Sequence, residues 1–215
     1  MHHIMFDVDG TLVQSCKMDA TCFIGAVSEV LKAPVDPDWD NYVHITDAGI
    51  LDHHLRLTGL MANRDDIHHQ VRQAFVRRIK AYLQKHPLKE IMGAARFIRE
   101  LKNLDAVTLS IATGGWLETA QLKLESAGID TADIPIASSN DHYARTEIMK
   151  LARQKAGVSL DNTVTYFGDA EWDKVSCRQL GYNFVLVGNR TSNPERLDDL
   201  TSVSQALSFI KLHPG

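Results

Sequence analysis

Short apolar runs alternating with amphipathic helical stretches constrain this chain more than any other feature. From residue 93 onward the pattern predicts a helix at about 93–103, an apolar run at 106–112 and a helix at 116–127 that stops at Gly128. A short strand follows at 134–138 ("IPIAS"), then a helix at 144–156 stopping at Gly157, and a strand at 163–169 ("TVTYFGD"). The series ends with a helix at 171–180, a strand at 183–188 ("NFVLVG") and a helix at 203–211. Strands that are apolar throughout, rather than every second residue, are buried on both faces. With helices between them they predict an α/β fold, a doubly wound, Rossmann-like parallel sheet.

Residues 3–8 ("HIMFDV") add one more strand near the N-terminus, yet the stretch after it is purely helical. Ala20, Phe23, Ile24, Val27, Val30 and Leu31 have helical spacing within 17–32, and "APVDPDWD" (33–40) reads as a loop. A second helix starts after Thr46 or Asp47 and runs towards Leu57. A third, at 64–84, repeats Ile67, Val71, Phe75, Ile79 and Leu83 every four residues. The stretch therefore reads as an inserted all-helical domain, with 1–14 and 88–215 forming the α/β core and 15–87 the insertion. A length of 215 residues accommodates such a core and appendage.

A net charge of −4 gives the molecule no general attraction for nucleic acid. The three cysteines, Cys16, Cys22 and Cys177, fit neither a disulfide framework nor a zinc site. No apolar run approaches the ~20 residues of a membrane span, and no secretory signal is visible, so a cytoplasmic location is expected.

Ligands of open parallel sheets bind at the carboxyl ends of the strands. Here those ends carry Asp7-Val8-Asp9-Gly10-Thr11, Thr113-Gly114-Gly115 and Gly168-Asp169-Ala170-Glu171-Trp172-Asp173. If the three strands are neighbours, four carboxylates and a hydroxyl converge. Such a cluster repels itself unless a cation sits within it, and hard oxygen ligands suit Mg²⁺. The "TGG" segment offers a hydroxyl and backbone N–H groups at a helix start, which suits a phosphate.

"DVDGTLV", "ATGG" and "FGDAEWD", in this order and in these strand contexts, resemble the haloacid dehalogenase superfamily, and the helical insertion after the first motif resembles its helical cap. The resemblance implies a Mg²⁺-dependent phosphatase acting on a small phosphorylated metabolite. Asp7 would be the nucleophile and form an aspartyl phosphate. Asp9 would protonate the leaving oxygen and then activate water. Metal would be held by the Asp7 carboxylate, the Asp9 main-chain carbonyl, Asp169 and Asp173, the last directly or through water. Thr113, Gly114 and Gly115 would bind the phosphoryl group. The family also places a cation, usually lysine, between the second and last motifs; Arg145 takes that position here, with Lys150 as the alternative.

The same resemblance allows other chemistries. Dehalogenases and phosphonate-cleaving relatives lack the second carboxylate, which Asp9 supplies here. The phosphonatases also use a cap lysine, and none lies between Lys32 and Lys80. Arg145 is the one feature that leans towards them. A phosphomutase, or a silent phosphate-binding regulatory module, would keep the same core residues. The paired histidines, His2-His3, His53-His54 and His68-His69, read as solvated or half-buried rather than metal-binding, since adjacent helical residues face different ways. His53 or His54 remains a candidate substrate contact at the seam between insertion and core. Asp47 reads as a helix cap or a substrate contact.

Overall fold

The computed structural model describes residues 2–210. Six strands form one parallel sheet: β1 (His2–Phe6), β2 (Val107–Ala112), β3 (Ile136–Ala137), β4 (Val164–Gly168), β5 (Asn183–Val187) and β6 (Arg196–Leu197). Their spatial order is β3-β2-β1-β4-β5-β6. The chain leaves β1 towards β2 and β3 on one side, then returns to build β4, β5 and β6 on the other. Strand order reverses at β1, so a crevice opens where β1, β2 and β4 end.

The helices are α1 (Cys16–Leu31), α2 (Asp47–Leu57), α3 (Arg64–Leu83), α4 (Ala94–Lys102), α5 (Leu117–Ser126), α6 (Arg145–Lys155), α7 (Glu171–Leu180) and α8 (Val203–Phe209). Alternation along β1 sends Ile4 and Phe6 to one face of the sheet and Met5 to the other. Phe6 stacks on Phe167 at 5.2 Å and meets the edge of Phe97 at 5.9 Å; Met5 joins Ile148, Met149 and Tyr166. Both faces are covered, which is why the strand sequence lacks polar alternation.

Helices α1 to α3 carry a separate apolar cluster centred on Phe23, Val27, Leu51, Val71 and Phe75. Trp116, from the segment after β2, is inserted into that cluster, 6.0 Å from Phe23 and 6.2 Å from Phe75. Trp116 thus bridges the two apolar clusters, with Leu88 and Leu122 also packed across the boundary.

Several expectations need correction. The first strand stops at Phe6, so Asp7 and Asp9 lie in the loop beyond it. A sixth strand, β6, is too short and too polar on one residue to be read from pattern. His2 and His3 are buried in β1. The His2 Nε2 bonds the Thr165 hydroxyl at 2.9 Å, and His3 bonds the hydroxyls of Thr108 and Ser110 at 2.9 and 2.8 Å. Neighbouring strands thus supply the polar partners that water would otherwise provide. The last predicted helix ends at Phe209, and its expected final residue lies outside the described residues. Among the described residues, no helix is long and apolar enough to cross a membrane.

Candidate active site

The Asp7 N–H donates to the Phe167 carbonyl at 3.0 Å, extending the β1–β4 ladder by one residue and pointing the chain into the crevice. The turn beyond it is closed by N–H groups of Thr11, Leu12 and Val13 donating to the Val8 carbonyl. Gly10 in this turn has φ +83°, and a Cβ there would lie 2.2 Å from Asp169 Oδ2. Only glycine lets the two acidic loops approach so closely.

Oxygens of Asp7, Asp169 and Asp173 all lie within 4.8 Å of one another, and all three residues are buried. The Asp7 carboxyl is pushed up from 3.8 to about 7, first by burial and next by the Asp173 charge, against the pull of Arg145. Burial and the Asp7 charge push Asp169 up to about 6, opposed by Arg190. Asp173 also rises to about 6, through burial first, with Arg145 opposing and Asp169 adding to the rise. Arg145 Nη1 lies 2.9 Å from Asp173 and 3.5 Å from Asp7; Arg190 Nη1 lies 2.6 Å from Asp169. Three carboxylates therefore face two guanidinium groups, and the knot stays negative. Its all-oxygen donor set and residual charge fit a hard divalent cation such as Mg²⁺. The Asp9 carboxylate is outside this knot.

Arg145 is the first residue of α6 and stands over the second motif: a Cβ on Gly114 would meet its Nη2 at 2.6 Å. Lys150 lies on the outside of the same helix, paired with Glu147 at 2.7 Å, and has no part in the crevice. Thr113 is buried, and its hydroxyl accepts the Gly115 N–H at 3.1 Å, so that N–H is engaged within the loop. Helix α5 begins only at Leu117, two residues beyond the glycines.

Asp47 is the first residue of α2, whose cap is the Thr46 hydroxyl accepting from the Gly49 N–H at 3.0 Å. The Asp47 carboxylate instead accepts the Trp116 N–H at 2.8 Å, while its own N–H donates to the Gly114 carbonyl at 2.8 Å. The Ala48 N–H donates to Ser139 and the Thr46 hydroxyl to the Tyr143 carbonyl. The start of α2 is thus bound to the segment after β2 and to the loop before α6. His53 and His54 pack on Tyr42, with His54 Nε2 2.9 Å from its hydroxyl, and neither lines the crevice.

Two cations escaped the sequence reading. Lys123 on α5 is completely buried, with Nζ 2.6 and 2.7 Å from the two Asp9 oxygens and 2.7 Å from Asp19 Oδ1. Burial disfavours its charge, but Asp19 and Asp9 more than compensate and hold it protonated. Its signal was visible: Lys123 falls on the apolar face of α5 with Ala120 and Leu124. Arg190 follows β5 in a loop and stacks over Trp172 at 5.1 Å; nothing in its local pattern marks it. The crevice encloses about 110 Å³. The stretch between β1 and β2 lines it with Phe23, Trp39, Ile45 and Ile50, together with Asp19 and Asp47.

A comparison with curated proteins returns no match. Among solved structures, a hydrolase from Pseudomonas syringae shares 19% identity at TM-score 0.75, covering 98% of this chain and 99% of that one. CbbY from Rhodobacter sphaeroides in complex with phosphate shares 18% identity at TM-score 0.72, covering 99% of this chain and 100% of its own. A CbbY mutant in complex with xylulose-(1,5)bisphosphate shares 17% at TM-score 0.69, covering 94% of this chain and 96% of that one. At such identities these likenesses carry the fold. The model of the haloacid dehalogenase-like hydrolases matches residues 4–187, across the acidic loops, the Thr113 segment and the helical insertion alike. On that match the chain belongs to the haloacid dehalogenase-like hydrolase family.

Proposed function

We propose that the protein is a Mg²⁺-dependent phosphatase that hydrolyses a small phosphorylated metabolite through an aspartyl phosphate on Asp7. The observation that carries this reading is the buried carboxylate knot of Asp7, Asp169 and Asp173, with Arg145 and the Thr113–Gly114 loop beside it. Asp7, Asp169 and Asp173 would hold the metal with the Asp9 main-chain carbonyl. When bound, the ion supplies positive charge against the oxygens of the transferring group. The likeness to a phosphate-bound CbbY and to one holding a bisphosphate supports a phosphorylated ligand for this crevice.

Asp7 attacks phosphorus in line with the departing ester oxygen. The Thr113 hydroxyl and Gly114 N–H orient the phosphoryl oxygens, and Arg145 spans the space between them and Asp7. Asp9 gives its proton to the departing oxygen, then takes one from the water that attacks the aspartyl phosphate. The helical insertion, residues 15–87, serves as a cap that keeps bulk water and macromolecules from this chemistry. We assign the reaction to the cytoplasm, where the three free cysteines would stay reduced.

One family alternative fits less well. A Schiff-base phosphonatase needs a free amine, whereas Lys123 is locked as an ammonium between Asp9 and Asp19. The insertion contributes no lysine, arginine or histidine to the crevice wall among the described residues. A second phosphate or carboxylate on the leaving group would meet Phe23, Trp39 and Ile50, and Arg190, the exposed cation among the lining residues, is already paired with Asp169 at 2.6 Å. The leaving group is therefore a small alcohol with some apolar surface.

Phosphate release from a panel of monoesters, with Mg²⁺ and with EDTA, tests this. Release that needs Mg²⁺ and favours uncharged alcohols over phosphoglycolate and sugar bisphosphates is expected. Asp7→Asn should abolish turnover, by more than about 10³-fold, with an unchanged circular dichroism spectrum. Metal-independent release, or wild-type turnover in Asp7→Asn, would overturn the mechanism.

A further inference from the structure

A proton donor must point at the atom it serves; the backbone of Asp9 is bridged to Val13 in the loop past the end of β1, which leaves the direction of its carboxyl group to its side-chain partners. Side chains from elsewhere hold it. The Ser15 hydroxyl donates to Asp9 Oδ1 at 2.5 Å, and the Lys123 ammonium reaches both carboxylate oxygens at 2.6 and 2.7 Å. The Asp19 carboxylate, on α1, takes another Lys123 hydrogen at 2.7 Å. An ammonium has three hydrogens, and these contacts use them all on two carboxylates. A fully buried lysine is a costly way to fill space, because an aliphatic side chain packs there without desolvating a charge. Its geometry is instead that of a clamp on Asp9.

We propose that Lys123, braced by Asp19, is a positioning residue that aims the Asp9 carboxyl group at the leaving-group oxygen. The inference rests on the phosphatase reading above. In the step concerned, a bond forms between an Asp7 oxygen and phosphorus while the ester P–O bond breaks. Asp9 enters this step in its acid form: the electron pair of the broken bond stays on the departing oxygen, which takes the Asp9 proton and leaves as an alcohol, and the Asp9 carboxylate that remains is paired with the Lys123 ammonium. Lys123 neither gives nor takes a proton; it fixes where Asp9 stands.

The test compares kcat/KM, which reports the steps up to phosphoenzyme formation, for two esters in the presence of Mg²⁺. With 4-nitrophenyl phosphate the leaving group departs as a stable anion and needs little help from a proton. With propyl phosphate the alkoxide requires one. Lys123→Met should lower kcat/KM for propyl phosphate by about 10- to 100-fold, a fraction of the usual acid contribution, and for 4-nitrophenyl phosphate by less than about 3-fold. Asp9→Asn should show the same selective loss, larger. Equal losses on both esters, or none on propyl phosphate, would overturn the inference and leave Lys123 a packing residue. If Lys123→Met does not fold, judged by circular dichroism, the charge-balanced Lys123→Met/Asp19→Asn variant takes its place with the same expectation. Wild-type protein that cleaves neither ester would instead defeat the phosphatase reading, before any variant is made.

Discussion

His3 shows how far a single side chain can depart from its sequence prior. Its ring lies within the sheet, bonded to Thr108 and Ser110, and burial lowers its pKa from 6.5 to about 4, helped by the nearby charges of Arg153 and His2. The folded state thus keeps the ring neutral where the unfolded chain would protonate it. Stability from this residue is intact above pH 6.5 and is lost as pH falls towards 4, by roughly 2–3 kcal/mol. The buried carboxylates have raised values and act in the opposite sense, so the net slope alone does not isolate His3. Urea unfolding of wild type and His3→Gln at pH 7.5 and 4.5 does. The variant should be less stable at pH 7.5 and lose less than wild type on acidification. Parallel losses would remove His3 as the source.

At the scale of elements, the segment between β2 and α5 joins the two apolar cores. Thr113, Gly114 and Gly115 face the crevice, and the next residue, Trp116, is buried among Phe23 and Phe75 of the helical insertion. Asp47 fastens α2 to the same segment through the Trp116 N–H and the Gly114 carbonyl. Any movement of the insertion is therefore felt at the loop proposed to grip phosphate. Trp116→Ala should cost about 3–5 kcal/mol, as removal of a large buried aromatic does, measured by urea titration. It should also raise KM for any hydrolysed ester, because the loop loses its anchor. A variant with full stability and unchanged KM would show the two parts to be independent.

For the whole molecule, the carboxylate knot is a local weakness that ligand binding would relieve. Above pH 3.8 each of Asp7, Asp169 and Asp173 resists ionising in the fold, which subtracts from stability as pH rises towards their raised values. A divalent ion bound there would offset that repulsion. At a Mg²⁺ concentration 100-fold above its dissociation constant, linkage predicts about 2.7 kcal/mol, or a Tm rise of roughly 5–10 °C for a chain of this size. Asp169→Asn should lose most of that rise. A wild-type melting curve indifferent to Mg²⁺ at pH 7.5 would argue against the metal site without reference to activity.

Local order and the chemistry of the strand ends were legible in the sequence. Periodicity located each helix to within a residue or two, and the apolar runs showed the parallel sheet, because both depend on neighbours a few residues away. The loops bearing Asp7, Asp9, Thr113, Asp169 and Asp173 stood out for the same reason: each follows a strand, and strand ends of such sheets meet. Arg145 was singled out only through the family resemblance, by its distance along the chain from Asp169; that it lies 3.5 Å from Asp7 is the work of packing. Tertiary structure alone decided the pairing of charges. Lys123 lies 114 residues from Asp9, Arg190 lies 21 from Asp169, and Asp47 lies 69 from Trp116. A buried charge is tolerated only where the fold delivers its partner, and that depends on how helices lie across the sheet rather than on any local pattern.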